Sequence, residues 1–111
     1  MIFKIIVTGR VQGVNFRRMT RDFCLDQGVK GRVKNLDNGE VEIYVQCDEH
    51  KKDLLINWLK LNPGFSRVNN IRVEEITERM DFEGFEIVRE GNLLTDQTKS
   101  AKNLGKKILK L

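Results

Sequence analysis

The spacing of the apolar residues differs from one segment of the chain to the next. The order of these segments constrains the fold more than any other feature. Phe3, Ile5 and Val7 alternate with other residues in the first segment, which predicts a strand. From about Phe16 the apolar residues recur at three- and four-residue spacing, and Gly28 then supplies a left-handed stop. The first part of the chain is therefore predicted to form a strand, a loop and a helix.

A β-hairpin is predicted to follow this first helix. Alternate residues of the segment 29–35 would share one face of a strand, and alternate residues of the segment 41–47 would do the same. Between these two segments, Asp37, Asn38 and Gly39 are typical turn residues. The alternation of apolar and polar residues in the second segment predicts a sheet with one face exposed to water.

A second helix and two more strands complete the predicted order. Asp48 can cap the second helix. The apolar stripe of this helix consists of Leu54, Leu55, Trp58 and Leu59. Pro63 and Gly64 would end it, and the apolar residues after residue 67 and around residue 86 predict a strand and a short last strand. The order predicts an α+β fold: a ferredoxin-like βαββαβ sandwich, with two helices on one face of a mostly antiparallel sheet of four to five strands.

The net charge of +4 on the 111 residues is located in the C-terminal segment. Residues 92–111 contain five Lys and one Asp, whereas residues 1–91 contain 15 basic and 15 acidic side chains. We therefore divide the chain into a domain of residues 1–91 and a basic C-terminal extension of residues 92–111. Because the domain is neutral, we expect no nucleic-acid partner for it.

Two interpretations of the C-terminal extension remain open. Its apolar residues recur at helical spacing with lysines between them, which is typical of a basic amphipathic helix that docks on the domain, pairs with another chain or touches an anionic membrane. Its composition also suits a disordered segment, which is the favoured interpretation, and Gly105 weakens the helix. Membrane contact is the less favoured alternative, because one such short helix binds lipid weakly.

The segment between the first strand and the first helix breaks a local rule. The N-terminus of a helix carries partial positive charge and prefers acidic residues, yet Arg17 and Arg18 lie in the predicted first turn and no acid occurs before Asp22. A bound anion would compensate for this charge, and glycine allows a close approach of backbone amides to phosphate oxygens. The loop residues that would form such a cradle are Gln12, Gly13, Val14, Asn15 and Phe16. The alternative is that the glycines only shape a turn and that both arginines extend into solvent.

Asn35 is the second polar residue that needs an explanation. The strand pattern places it on the inward face with Val29 and Val33, where an amide without a partner would be costly. It is therefore a candidate for the same site as Arg17. The alternative is a turn-forming asparagine directly before the hairpin turn.

These residues together resemble the acylphosphatase family. The resemblance covers about residues 2–89, and it rests on Gly9-Arg10-Val11-Gln12-Gly13-Val14, Phe16-Arg17, Gly31, Val33, Lys34-Asn35, the turn and strand start at 37–42, and the closing Phe85-Glu86-Ile87. It implies a hydrolase of small acyl phosphates that releases inorganic phosphate, with no metal and no cofactor. By motif position it implies that Arg17 and the loop amides hold the phosphate and that Asn35 orients the attacking water.

The chain departs from the family pattern at two places. Arg32 stands where many members have Trp, and the chain continues about twenty residues past the usual end. Besides the hydrolase, which is favoured, a binding module on the same scaffold that binds phosphate or nucleic acid without turnover stays open as a second class of function. We expect a cytoplasmic monomer with two reduced cysteines, Cys24 and Cys47. His50 has no second ligand at helical spacing and is expected to be a surface residue.

Overall fold

The computed structural model describes residues 1–89, and the predicted order of elements is confirmed. The elements are β1 (Ile2–Arg10), α1 (Phe16–Asp26), β2 (Lys30–Asn35), β3 (Val41–Gln46), α2 (Glu49–Leu59), β4 (Arg67–Ile76) and β5 (Phe85–Val88). Neither helix of this part of the chain is long and apolar enough to cross a membrane. The extension 92–111, with its predicted helix and membrane contact, lies outside the described residues.

The five strands form one sheet in the order β4-β1-β3-β2-β5. β1 pairs antiparallel with both β3 and β4, and β2 pairs antiparallel with β3. β5 is the exception because it runs parallel to β2, with Gly31 opposite Phe85. Since the carboxyl ends of parallel neighbours meet at the same edge of a sheet, the ends of β2 and β5 lie side by side. The predicted ferredoxin-like α+β fold is confirmed.

The core contains the inward residues of the sheet together with both helices. It includes Phe3, Ile5 and Val7 of β1, Val33 of β2, Val41, Ile43 and Val45 of β3, Phe16 and Cys24 of α1, and Leu55 and Leu59 of α2. Phe23 and Trp58 stack with ring centroids 4.6 Å apart and 16° between their planes. Trp58 therefore packs one helix against the other, as its place in the apolar stripe predicted.

The two helices begin in different ways. Asp48 caps α2, because its carboxylate accepts a hydrogen bond of 2.8 Å from the backbone N–H of Lys51. The N-cap of α1 is Asn15, which makes no side-chain capping bond, and the first turn of α1 contains no acidic residue. The start of α1 is thus left with unsatisfied N–H groups and no compensating negative charge.

Candidate active site

A polar cavity of about 220 Å³ lies at the start of α1. Its walls come from the β1–α1 loop (residues 11–15), the first turn of α1, the last residue of β2 and the end of β5. The lining residues are Val11, Gln12, Gly13, Asn15, Phe16, Arg17, Arg18, Asn35, Ile87 and Arg89. This set contains three arginines and no acidic residue, so the cavity suits an anion.

The β1–α1 loop is shaped by two residues with positive φ. Gly13 has φ 75° and Asn15 has φ 66° and ψ 24°, which is the left-handed region. Glycine adopts this region without a Cβ penalty, and asparagine tolerates it better than most residues. Four of the five predicted cradle residues line the cavity, whereas Val14 packs against the core instead. Backbone conformations of this kind, placed before a helix N-terminus, are typical of anion cradles.

Arg17 is half-buried and is fixed by the last strand. Its Nη1 donates a hydrogen bond of 3.1 Å to the backbone carbonyl of Val88 at the end of β5. A carbonyl is a neutral acceptor, so this bond orients the guanidinium and leaves its positive charge uncompensated. A guanidinium has five N–H donors, and a bidentate contact with a phosphate needs only two of them.

Asn35 is the last residue of β2 and reaches the same cavity. Its Oδ1 is buried and has no hydrogen-bond partner among residues 1–89. A buried polar atom without a partner is rare and costs about 1–3 kcal/mol, so it calls for an explanation by function or by a missing partner. The structure therefore brings the two predicted side chains, Arg17 and Asn35, together in one cavity.

Gln12 has a role that the sequence did not indicate. Its Nε2 donates two hydrogen bonds, each of 2.8 Å, to the backbone carbonyls of Leu36 and Glu40. These carbonyls belong to the β2–β3 turn, and Leu36 directly follows Asn35. The side chain of Gln12 therefore ties the β1–α1 loop to the turn beside Asn35, and we call these two bonds the Gln12 clamp.

Arg18 and Arg89 also line the cavity and were not predicted as site residues. Arg89 follows β5, two residues after Ile87, which lines the cavity too. Because alternate residues of an extended chain face the same side, the sequence alone indicates that Arg89 faces the same side as Ile87. Whether that side faces the cavity depends on the position of β5 next to β2, which the sequence pattern does not specify.

The remaining polar candidates lie away from the cavity. Burial raises the pKa of the Cys24 thiol from 9.0 to about 12, with a smaller effect of Cys47, and burial also raises the pKa of Cys47. The guanidinium of Arg32 lies 4.9 Å from the centre of the Tyr44 ring, in a cation–π contact. Residues 1–89 contain no group of three or more His, Cys, Asp or Glu residues that could hold a metal ion.

The fold and this cavity define a small α+β sandwich protein with a polar cavity, suited to an anion, between its first strand and its first helix. Residues 3–87 match the family model for acylphosphatases. The acylphosphatase of Methanocella arvoryzae is 40% identical over 83 residues, which are 75% of this chain and 93% of that protein. The acylphosphatase of Chromohalobacter salexigens is 43% identical over 72 residues, which are 65% of this chain and 80% of that protein.

Solved structures agree with this assignment. The crystal structure of acylphosphatase from Bacillus subtilis is similar with a TM-score of 0.75 and 36% identity, covering 80% of this chain and 100% of that one. An acylphosphatase from Coxiella burnetii is similar with a TM-score of 0.73 and 32% identity, covering 78% of this chain and 90% of that one. The chain belongs to the acylphosphatase family. It is a hydrolase that cleaves the carboxyl–phosphate anhydride bond of small acyl phosphates and releases inorganic phosphate.

Proposed function

We propose that Arg17 and Asn35 carry out the hydrolysis of acyl phosphates in the cavity at the start of α1. Arg17 and the backbone amides of Gln12, Gly13, Val14, Asn15 and Phe16 hold the phosphoryl group, and Asn35 orients the attacking water. The observation that carries this proposal is that Asn35 comes from a different segment of the chain than the loop and Arg17, and that all of them line one cavity.

The electrostatics of the cavity suit a phosphoryl group. An acyl phosphate brings up to two negative charges on its phosphoryl oxygens, and these charges redistribute as the bond to the acyl oxygen breaks. The guanidinium of Arg17 is oriented by a neutral carbonyl before substrate arrives, so little reorganisation is needed when the charge shifts. The start of α1 adds partial positive charge from unsatisfied N–H groups.

Asn35 supplies orientation and no proton transfer. The attacking water can donate a hydrogen bond to Oδ1 of Asn35, which would give that buried oxygen the partner it lacks among residues 1–89. The water oxygen then bonds to phosphorus while the bond from phosphorus to the acyl oxygen breaks, and the carboxylate leaves with that electron pair. The water proton passes to a phosphoryl oxygen of the substrate, because none of the lining residues within the described range 1–89 has the character of a general base at neutral pH.

A pair of alanine variants tests these roles. Arg17→Ala should lower kcat/KM for acetyl phosphate by about 10²- to 10³-fold and weaken competitive inhibition by inorganic phosphate, because a preorganised donor to the phosphoryl group is lost. Asn35→Ala should lower kcat by a similar factor and retain inhibition by phosphate. Arg79→Gln is the matched control, because Arg79 is exposed and does not line the cavity. Wild-type turnover in either alanine variant would refute the assigned role of that residue.

We further propose that the protein works as a monomer in the cytoplasm. The edge strand β4 exposes charged side chains, among them Arg72, Glu74 and Glu75, and such charges oppose pairing with another sheet. Cys24 and Cys47 are both free thiols, which suits a reducing compartment. Sedimentation equilibrium of the full chain tests the first point, since a mass of two chains would contradict it. Fractionation of the producing cells tests the second.

A further inference from the structure

The positive charge that lines the cavity exceeds what a phosphoryl group requires. Arg17, Arg18 and Arg89 bring three positive charges, and the lining residues of the described part of the chain include no acid. A phosphoryl dianion bound by Arg17 and the loop amides would compensate two of these charges. Arg18 and Arg89 make no ion pair with any acidic residue of the described part of the chain. One positive charge at the cavity therefore remains for a second anionic group.

The two extra arginines lie at the open side of the cavity. Both side chains are exposed, whereas Arg17 is half-buried. Arg18 follows Arg17 on the helix, and successive residues of an α-helix point about 100° apart, so the two side chains leave the helix in different directions. Arg18 thus lines the cavity from a more exposed position than Arg17.

The register of β5 brings Arg89 close to Asn35. β2 and β5 pair in parallel, with Val33 opposite Ile87 and Lys34 opposite Val88. Asn35 and Arg89 are the residues that directly follow this last pair, and both line the cavity. Arg89 therefore lies at the same end of the two strands as Asn35, and it directly follows Val88, whose carbonyl holds Arg17.

We propose that Arg18 and Arg89 form a subsite for the acyl group, and that the enzyme prefers acyl phosphates whose acyl group carries a carboxylate. This inference rests on the proposed function, because it assumes that Arg17 and the loop hold the phosphoryl group. The acyl group then extends toward the solvent-exposed rim, where its carboxylate meets the two guanidinium groups. An uncharged acyl chain of the same length would contact the same polar rim without forming an ion pair.

A matched pair of substrates measures this preference. Succinyl phosphate and butyryl phosphate have acyl chains of four carbons each, and only the first ends in a carboxylate. An exposed ion pair contributes roughly a threefold effect, so two pairs should give wild-type enzyme about a tenfold higher kcat/KM for succinyl phosphate. This preference should decrease when the ionic strength rises from about 0.02 M to about 0.5 M, because exposed charges are screened by salt.

The variants Arg18→Gln and Arg89→Gln test the residues themselves. Each should lower the succinyl-to-butyryl ratio of kcat/KM roughly threefold, and the double variant should bring the ratio close to one. Arg79→Gln, an exposed arginine outside the cavity, should leave the ratio unchanged. An equal loss for both substrates would show that these arginines serve the phosphoryl group, and this would overturn the subsite.

The two levels of the proposal can fail separately. If the wild-type enzyme hydrolyses both substrates at similar kcat/KM at low salt, the acyl subsite is wrong and the proposed roles of Arg17 and Asn35 are unaffected. If Arg17→Ala and Asn35→Ala hydrolyse both substrates like the wild type, the proposed catalytic roles are wrong, and the subsite loses its basis with them.

Discussion

The Gln12 clamp gives the sharpest prediction about how the fold supports catalysis. Gln12→Met keeps the length of the side chain and removes both hydrogen bonds to the β2–β3 turn. Each bond contributes about 0.5–1.5 kcal/mol. The Leu36 carbonyl keeps a bond of 3.2 Å from the Gly39 N–H, and the Glu40 carbonyl keeps one of 2.8 Å from the Leu36 N–H. The variant should therefore lose only about 1–2 kcal/mol of unfolding free energy, measured by urea denaturation.

The effect of Gln12→Met on turnover should be larger than this stability loss suggests. The clamp sets the distance between the β1–α1 loop, which would hold the phosphoryl group, and Asn35, which would aim the water. A misplacement of about 1 Å can cost about 10²-fold in rate. We expect kcat for acetyl phosphate to fall about tenfold to a hundredfold, with a smaller change in KM. Steady-state kinetics at a temperature where the variant is fully folded measure both quantities.

Two controls separate positioning from a general loss of stability. Asn38→Ala removes the bonds that its side chain makes with Glu40 in the same turn, of 2.9 and 3.0 Å, without touching Gln12. This variant should lose similar stability and keep its kcat. In the background of Asn35→Ala, Gln12→Met should have little further effect on kcat, because residues that act together are not additive. Full additivity, or a wild-type kcat in Gln12→Met alone, would refute the positioning role.

Three further outcomes follow from the fold. Gly9→Ala should destabilise by about 3 kcal/mol or more, because the new Cβ would collide with the backbone carbonyl of Arg67, whereas Gly13→Ala should cost only about 1–2 kcal/mol for its φ of 75°. Chemical denaturation of both variants gives the comparison, and equal losses would contradict it. Asp48→Ala should lower the unfolding free energy by about 1 kcal/mol, since it removes the cap of α2, and an unchanged denaturation midpoint would argue against the cap. The Cys24 thiol should lower stability at alkaline pH: the unfolded thiol loses its proton near 9.0 and the folded one near 12, so stability decreases as pH rises through this window by about 1.4 kcal/mol per pH unit. Cys24→Ala should show a shallower slope above pH 9.0, and an identical slope would contradict the raised pKa.

Much of the fold could be predicted because its periodicities are local. The alternation of Phe3, Ile5 and Val7 and the three- and four-residue spacing after Phe16 report which faces are buried, and burial selects the element. The alternation in the segment 29–35 likewise places Asn35 on an inward face. A polar residue at an apolar position is informative because it violates the pattern around it.

The Gln12 clamp could not be predicted, because it depends on contacts between distant segments. Gln12 reaches carbonyls 24 and 28 residues further along the chain, and no local pattern specifies such a bond. The sequence placed Gln12 correctly in the loop and assigned only its backbone amide a role. The parallel pairing of β5 with β2, which brings Arg89 beside Asn35, depends equally on tertiary structure.

The contact between Arg17 and Val88 shows why the last strand matters for the site. A side-chain carboxylate of aspartate or glutamate could also accept this hydrogen bond and orient the guanidinium. Its negative charge, however, would compensate the positive charge that the phosphoryl group needs. A backbone carbonyl orients the arginine at no such cost, and any residue type can provide it. The identity of Val88 therefore carries no sequence signal for this role. The element that aims Arg17 is found only by placing β5 in the sheet.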